Sequence, residues 1–164
     1  MRRALLVLLV VLAACDQNRS AEQQHAALQP VVPESARAAF ARCDERGGHA
    51  EIIGCKEGLA TKAAVEVDRL FQQSREVAVN LDSEYGKAVP GWQVKVGDTF
   101  AELAVASQVG WKAYAERQCQ FEASTSFGGS GGGDFRAECR LRLNNQRADE
   151  LKLALELANR QLKP

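Results

Sequence analysis

Three stretches of this chain place apolar or small residues at alternating steps of three and four. In the first, Leu59, Ala63, Val67, Leu70, Ser74, Val77 and Leu81 are spaced 4, 4, 3, 4, 3 and 4. In the second, Phe100, Leu103, Ser107, Trp111, Tyr114, Gln118 and Phe121 follow the same rhythm. The third carries Leu141, Ala148, Leu151, Leu155, Ala158 and Leu162. Only a 3.6-residue period brings such positions onto one face, so each stretch predicts a helix with one buried stripe. Abundant alanine and an aromatic content of 6% agree with an all-α chain rather than a sandwich of strands.

Boundary signals give four helices. A short one runs over about 34–45, opened by Pro33 and stopped by Gly47 and Gly48. The others cover about 50–81, 98–123 and 135–161, with Asp134 as the expected N-cap of the last. Residues 82–97 read as a loop around Pro90–Gly91, with a short extended piece at Val94 and Val96. Residues 124–133, Ser-Thr-Ser-Phe-Gly-Gly-Ser-Gly-Gly-Gly, also read as a loop, because glycine loses the most backbone freedom on ordering. The expected fold is a small bundle spanning 34–164.

The first residues read as an address rather than as structure. Arg2 and Arg3 precede an unbroken apolar run from Ala4 to Ala14, too short to span a bilayer. That is the layout of a secretory signal. Leu12-Ala13-Ala14-Cys15 resembles a bacterial lipobox, so residues 1–14 are expected to be removed and Cys15 to be lipidated. More than one acyl chain on that cysteine gives a firm anchor, since a single chain is marginal. Removing two of 21 basic residues leaves 19 against 21 acidic ones, a net charge of −2. Residues 15–33, polar and holding Pro30 and Pro33, read as a tether with a reach of about 25 Å. His25 falls there as a solvated side chain.

Four cysteines remain in an exported chain, where disulfides are the default. Cys43, Cys55, Cys119 and Cys139 allow three connectivities. Pairing Cys43 with Cys55 and Cys119 with Cys139 is favoured, because each pair brackets a glycine-containing turn between two helices. The competing reading, a zinc site of Cys43, His49 and Cys55, lacks a fourth ligand and fits no common spacing.

The charge balance, 21 basic against 21 acidic residues, argues against nucleic-acid binding. Gly128-Gly129-Ser130-Gly131-Gly132 matches the G-x-S-x-G of hydrolases. That motif needs a strand before it and a histidine after it, and no histidine follows His49. No nucleophile–base pair, metal cluster or cofactor motif is left, so the chain is not expected to be an enzyme or to hold a cofactor.

One arrangement in the second half resembles a known family. Ser107-Gln108-Val109-Gly110-Trp111-Lys112-Ala113-Tyr114-Ala115-Glu116-Arg117-Gln118-Cys119 precedes the Gly-Gly-Ser loop at 128–130, Cys139 and Arg147-Ala148-Asp149-Glu150-Leu151. Cys43, Cys55 and Asp68-Arg69-Leu70 lie upstream. This resembles the lysozyme inhibitor LprI-like family over about residues 40–155. The family pattern has alanine, arginine and threonine where this chain has Ser107, Ala115 and Asn144. The resemblance implies a small helical envelope protein that binds a muramidase and blocks it without chemistry. Trp111 and Tyr114 are then expected to pack in the core, and Arg147 to pair with Glu116 or cap a neighbouring turn. The projecting loop, with Phe127, Gly128, Gly129 and Ser130, is the expected contact element. Lys112 and Arg117 are expected to meet acidic residues of a partner's cleft. The alternative is a structural or interaction module of the envelope with another envelope protein as partner, held to the membrane through its lipid alone.

Overall fold

The computed structural model describes residues 34–91, 97–127, 129 and 131–162. The signal segment, Cys15, the tether with His25, and Val94 and Val96 lie outside the described residues. Among those described, four helices and no strands occur: α1 (Glu34–Asp44), α2 (His49–Ala88), α3 (Phe100–Ser124) and α4 (Gly132–Gln161). No helix among them is long and apolar enough to cross a membrane.

Cross-helix contacts fix the directions. Lys56 meets Glu138, and Asn144 donates to the Ala60 carbonyl, so α2 and α4 run parallel. Cys119 joins Cys139, Arg142 meets Glu122, and Arg147 meets Gln108, so α3 runs antiparallel to α4. The result is an up–down–up bundle in which the α2–α4 interface is the largest. α1 packs on the start of α2.

The core has two parts. Val67 and Leu70 from α2 pack with Ala148 and Leu151 from α4, flanked by Phe71, Trp111 and Leu155. Cys119, Cys139 and Leu143 form the second, flanked by Trp111 and Ala115. Trp111 belongs to both, so one indole ties the two halves together. Burying a Leu or Val side chain contributes about 1.5–3 kcal/mol, which makes these contacts the main stabilising group.

Both disulfides have the predicted connectivity. Cys43–Cys55 spans 12 residues with a Cα–Cα distance of 5.6 Å, and Cys119–Cys139 spans 20 residues at 5.4 Å. The sulfurs of Cys43 and Cys55 are therefore bonded to each other, which removes the zinc reading.

Three expectations need correction. First, α2 does not stop at Leu81 but continues to Ala88. Its last turns are held by α3: the Asp82 carboxylate accepts from the N–H groups of Phe100 (2.8 Å) and Ala101 (3.1 Å), and the Tyr85 ring meets Phe100 edge-on at 5.2 Å. Asp82 thus caps the next helix, reinforcing the Thr99–Glu102 capping box.

Second, α4 begins at Gly132, so Asp134 lies in its first turn and not at the N-cap, which is Gly131. Three residues of the expected loop are helical: Ser124, which ends α3, and Gly132 and Gly133, which open α4. Gly133 leaves room for Ile53, whose side chain lies 3.4 Å from where a Cβ would sit.

Third, the buried face of α3 is not the predicted one. Gln108, Cys119 and Ala123 are buried, with Trp111 and Ala115 packed against the core clusters. Leu103, Val105, Val109, Tyr114 and Phe121 are exposed, Tyr114 at 54% and Phe121 at 66%. Tyr114 is therefore not a core residue. The small residues let α3 approach α2 and α4 closely, and the disulfide turns the Cys119 side of the helix inward.

Candidate functional site

The α3–α4 end carries the loop singled out by composition. Three consecutive hydroxyls finish α3 by folding back on its last carbonyls. Ser124 donates to Phe121 O at 2.6 Å, Thr125 to Glu122 O at 2.6 Å, and Ser126 to Ala123 O at 2.8 Å. Serine and threonine compete with the helix ladder in this way, which stops the helix at a defined residue. The backbone then turns in short steps: Phe127 N–H donates to Ser124 O (3.1 Å), Gly129 N–H to Ser126 O (2.9 Å), and Gly132 N–H to Gly129 O (3.3 Å).

Phe127 stands out in this turn. Its φ is +50°, and no other non-glycine residue described has a positive φ. Its side chain is 98% exposed. The left-handed region costs an L-residue about 1–2 kcal/mol, and no burial offsets it here. An apolar ring is held out in water on a strained backbone.

The loop base is cross-linked. Cys119–Cys139 joins the flanking helices. Three residues further on, Arg142 Nη2 donates to Glu122 Oε1 at 2.6 Å, and Gln118 Nε2 donates to the same oxygen at 2.8 Å. Arg142 is largely buried, so this pair is less screened than a surface pair.

The predicted site residues do not all come together. Gly129 follows Phe127 in the turn, while Gly128 and Ser130 lie outside the described residues. Arg117 is on the outer side of α3, about 10 Å along the axis from Ser124, in a shallow groove with Gly110, Ala113, Tyr114, Gln118 and Phe121. Lys112 is about 18 Å from Ser124 along the same axis. It pairs with Asp68 at 3.0 Å and does not share a face with Arg117.

The arginine of the sequence pattern, Arg147, also has a different partner set from that expected. Arg147 donates to Gln108 Oε1 (3.0 Å) and Ser107 Oγ (3.0 Å), pairs with Glu150 (3.1 Å), and lies over the Trp111 ring. Glu116 is not among its contacts. The Ser107-Gln108…Trp111 motif and the later Arg147 are thus one structural unit.

The family described as Lysozyme inhibitor LprI matches this chain over residues 43–151. The chain belongs to the LprI family. No curated protein and no solved structure matches it. The LprI match opens at Cys43 and closes at Leu151, so it encloses both disulfides, the Arg147–Trp111 unit and the strapped loop.

A second concave feature was not singled out by sequence. A groove of about 590 Å³ runs between α3 and α4, lined among others by Trp111, Lys112, Ala115, Arg136, Arg140 and Asn144. The signal for it was present, as Arg136 and Arg140 are like charges four residues apart on one helix. Like charges so placed repel by a few tenths of a kcal/mol.

At the opposite face of α4, Lys56 of α2 is 4% exposed and gathers Asp44 (2.8 Å), Glu138 (2.8 Å) and Asp134 (3.7 Å). The Phe40 ring lies 5.7 Å away. Burial alone would lower its pKa. The hydrogen bonds to Asp44 and Glu138 and the nearby carboxylate charges outweigh burial and raise it above the ordinary 10.5. This is a clamp joining α1, α2 and α4.

Proposed function

We propose that the chain is an envelope lipoprotein that binds a muramidase and blocks its cleft, using the loop between α3 and α4. In this reading residues 1–14 are removed, Cys15 carries the lipid, residues 15–33 are the tether, and residues 34–164 form the inhibitory domain. The observation that carries the reading is Phe127: a nearly fully exposed aromatic on a left-handed backbone, in the turn that follows α3, in a chain of the LprI family. Turn hydrogen bonds at Phe127, Gly129 and Gly132 reduce the conformational freedom lost on docking, which favours affinity. An aromatic anchor entering a cleft is the common form of an interface hot spot. Nothing in this action requires a nucleophile or a metal.

A turbidity assay of bacterial cell walls with a c-type lysozyme tests it. The oxidised mature chain should protect the walls in proportion to dose, and deleting residues 126–132 should abolish protection. No protection at large molar excess would leave a second reading, an interaction module of the envelope. The exposed apolar residues Leu103, Val109, Tyr114 and Phe121 on α3 favour that alternative.

A further inference from the structure

α4 carries two arginines that nothing in the fold neutralises. Of its basic residues, Arg142, Arg147, Lys152 and Arg160 each meet a carboxylate. Arg136 and Arg140 meet none among the described residues. The neighbouring acids of the same helix, Asp134 and Glu138, are held by Lys56 on another face. Two guanidinium groups four residues apart also repel each other. An anion set between them would reverse that cost.

Both arginines are exposed and line the groove between α3 and α4. The Cys119–Cys139 bond fixes the register of this antiparallel pair. Gln120 of α3 therefore lies level with residue 138, midway between two arginines whose Cα atoms are about 6 Å apart. Gln120 is exposed and lines the same groove. Three side chains that donate hydrogen bonds thus surround one stretch of it. Leu143 and Cys119 beneath them are buried, so polar groups and not apolar surface must hold a ligand there.

The stretch is short. Glu116 lines the groove one turn further on, about 6 Å past Gln120, and ends the positive region. Lys112, another turn on, is held by Asp68. A compact anion fits these limits, and an extended chain does not. The donors also favour one type of anion. A single guanidinium fork already engages both oxygens of a carboxylate. A terminal phosphate has three strong acceptor oxygens and nearly two charges, enough for both forks and the Gln120 amide together.

We propose that Arg136, Arg140 and Gln120 form a binding site for a terminal phosphate group, carried by a soluble phosphate ester or by a lipid headgroup. The site is open to water, so its affinity rests on charge and falls as salt rises. It uses no residue of the loop between α3 and α4 and needs no muramidase, so its failure and the failure of the inhibitor reading are separable.

Two arms of one test distinguish the sources. In the first, glycerol phosphate is titrated at low salt into the oxidised mature chain and followed by two-dimensional NMR. Saturable shifts centred on the Gln120 side-chain amide and residues 136–140 mean that a free ester is bound. In the second, the same chain, without its lipid, is sedimented with vesicles of phosphatidylcholine alone or mixed equally with phosphatidic acid. Capture by the mixed vesicles alone, without saturable shifts in the first arm, means that a headgroup is bound. In either arm Arg136→Gln with Arg140→Gln should weaken binding by about tenfold or more, since charge-assisted contacts are strong. Lys62→Gln, on an exposed part of α2 outside the groove, should leave it unchanged. Absence of binding in both arms overturns the proposal. So does unchanged binding by the folded double arginine variant, or acetate binding at the same residues as tightly as glycerol phosphate, which would mean charge attraction without a phosphate site.

Discussion

Arg147 of α4 lies over the ring of Trp111 of α3, its guanidinium carbon 5.8 Å from the ring centroid, while its Nε donates to Gln108 Oε1 at 3.0 Å. Because a guanidinium only donates, the Gln108 oxygen must face it, and the amide nitrogen must face the other way. That nitrogen is buried without a partner. Arg147 is thus the group that makes a 3%-exposed glutamine tolerable.

Replacing Arg147 by alanine leaves both ends of the Gln108 amide unpaired and removes the cation from the indole. Unfolding in urea should show a loss of about 2–4 kcal/mol. Arg147→Lys should recover only part of this, because an ammonium cannot reproduce the flat fork over the ring. Full recovery by lysine would show that charge alone matters there.

The Lys56 clamp predicts a pH window. Its folded pKa is raised above the ordinary 10.5, so the folded state holds this proton more tightly than the unfolded chain. The stabilisation is complete below 10.5 and is lost as pH rises above that value towards the folded pKa. Lys56→Met leaves three carboxylates facing one another and should cost about 2 kcal/mol at neutral pH, since Asp44 and Glu138 keep water contact. Urea curves for wild type and variant should differ by a constant amount from pH 6 to 9 and converge in the alkaline range. Convergence below pH 9 would contradict the assignment.

Each disulfide closes a short loop, of 12 and 20 residues. Cys43→Ser with Cys55→Ser, and Cys119→Ser with Cys139→Ser, should each lower stability by about 3 kcal/mol on the chain-entropy estimate. Only the second pair should weaken muramidase inhibition beyond what lost stability explains, because only it forms the base of the loop. Equal effects of both pairs on inhibition, at temperatures where both variants are folded, would argue against the loop.

Phe127 separates stability from function. Phe127→Gly relieves the left-handed strain by about 1 kcal/mol, set against the greater freedom glycine gives the unfolded chain. Thermal stability should therefore hold or rise slightly while inhibition falls. A fall in stability with inhibition intact would show that the ring is structural.

The faces of α2 and α4 were legible because Leu59, Val67, Leu70, Leu81, Leu141 and Leu151 are large and regularly spaced, and hydrophobic burial is governed by size. The same rule failed on α3, where Leu103, Tyr114 and Phe121 point outward and Gln108 and Cys119 point inward. A better guide was in the sequence: a cysteine bonded to α4 must face α4. Stepping back from Cys119 by turns gives Ala115, Trp111, Gln108 and Ala104, the inward face. The extension of α2 to Ala88 was not legible, because it depends on Asp82 and Tyr85 meeting Phe100, 15 or more residues away. The strapped loop was visible from its glycines, but the left-handed Phe127 was not, since aromatic residues seldom adopt that conformation.

Cleft occupancy is measured most directly by calorimetric titration of the oxidised mature chain into a c-type lysozyme, with and without a saturating oligosaccharide that fills the substrate cleft. The account predicts one-to-one binding that is suppressed by the oligosaccharide and lost in Phe127→Gly. Absence of binding, or binding of the same affinity with the cleft already filled, would contradict it.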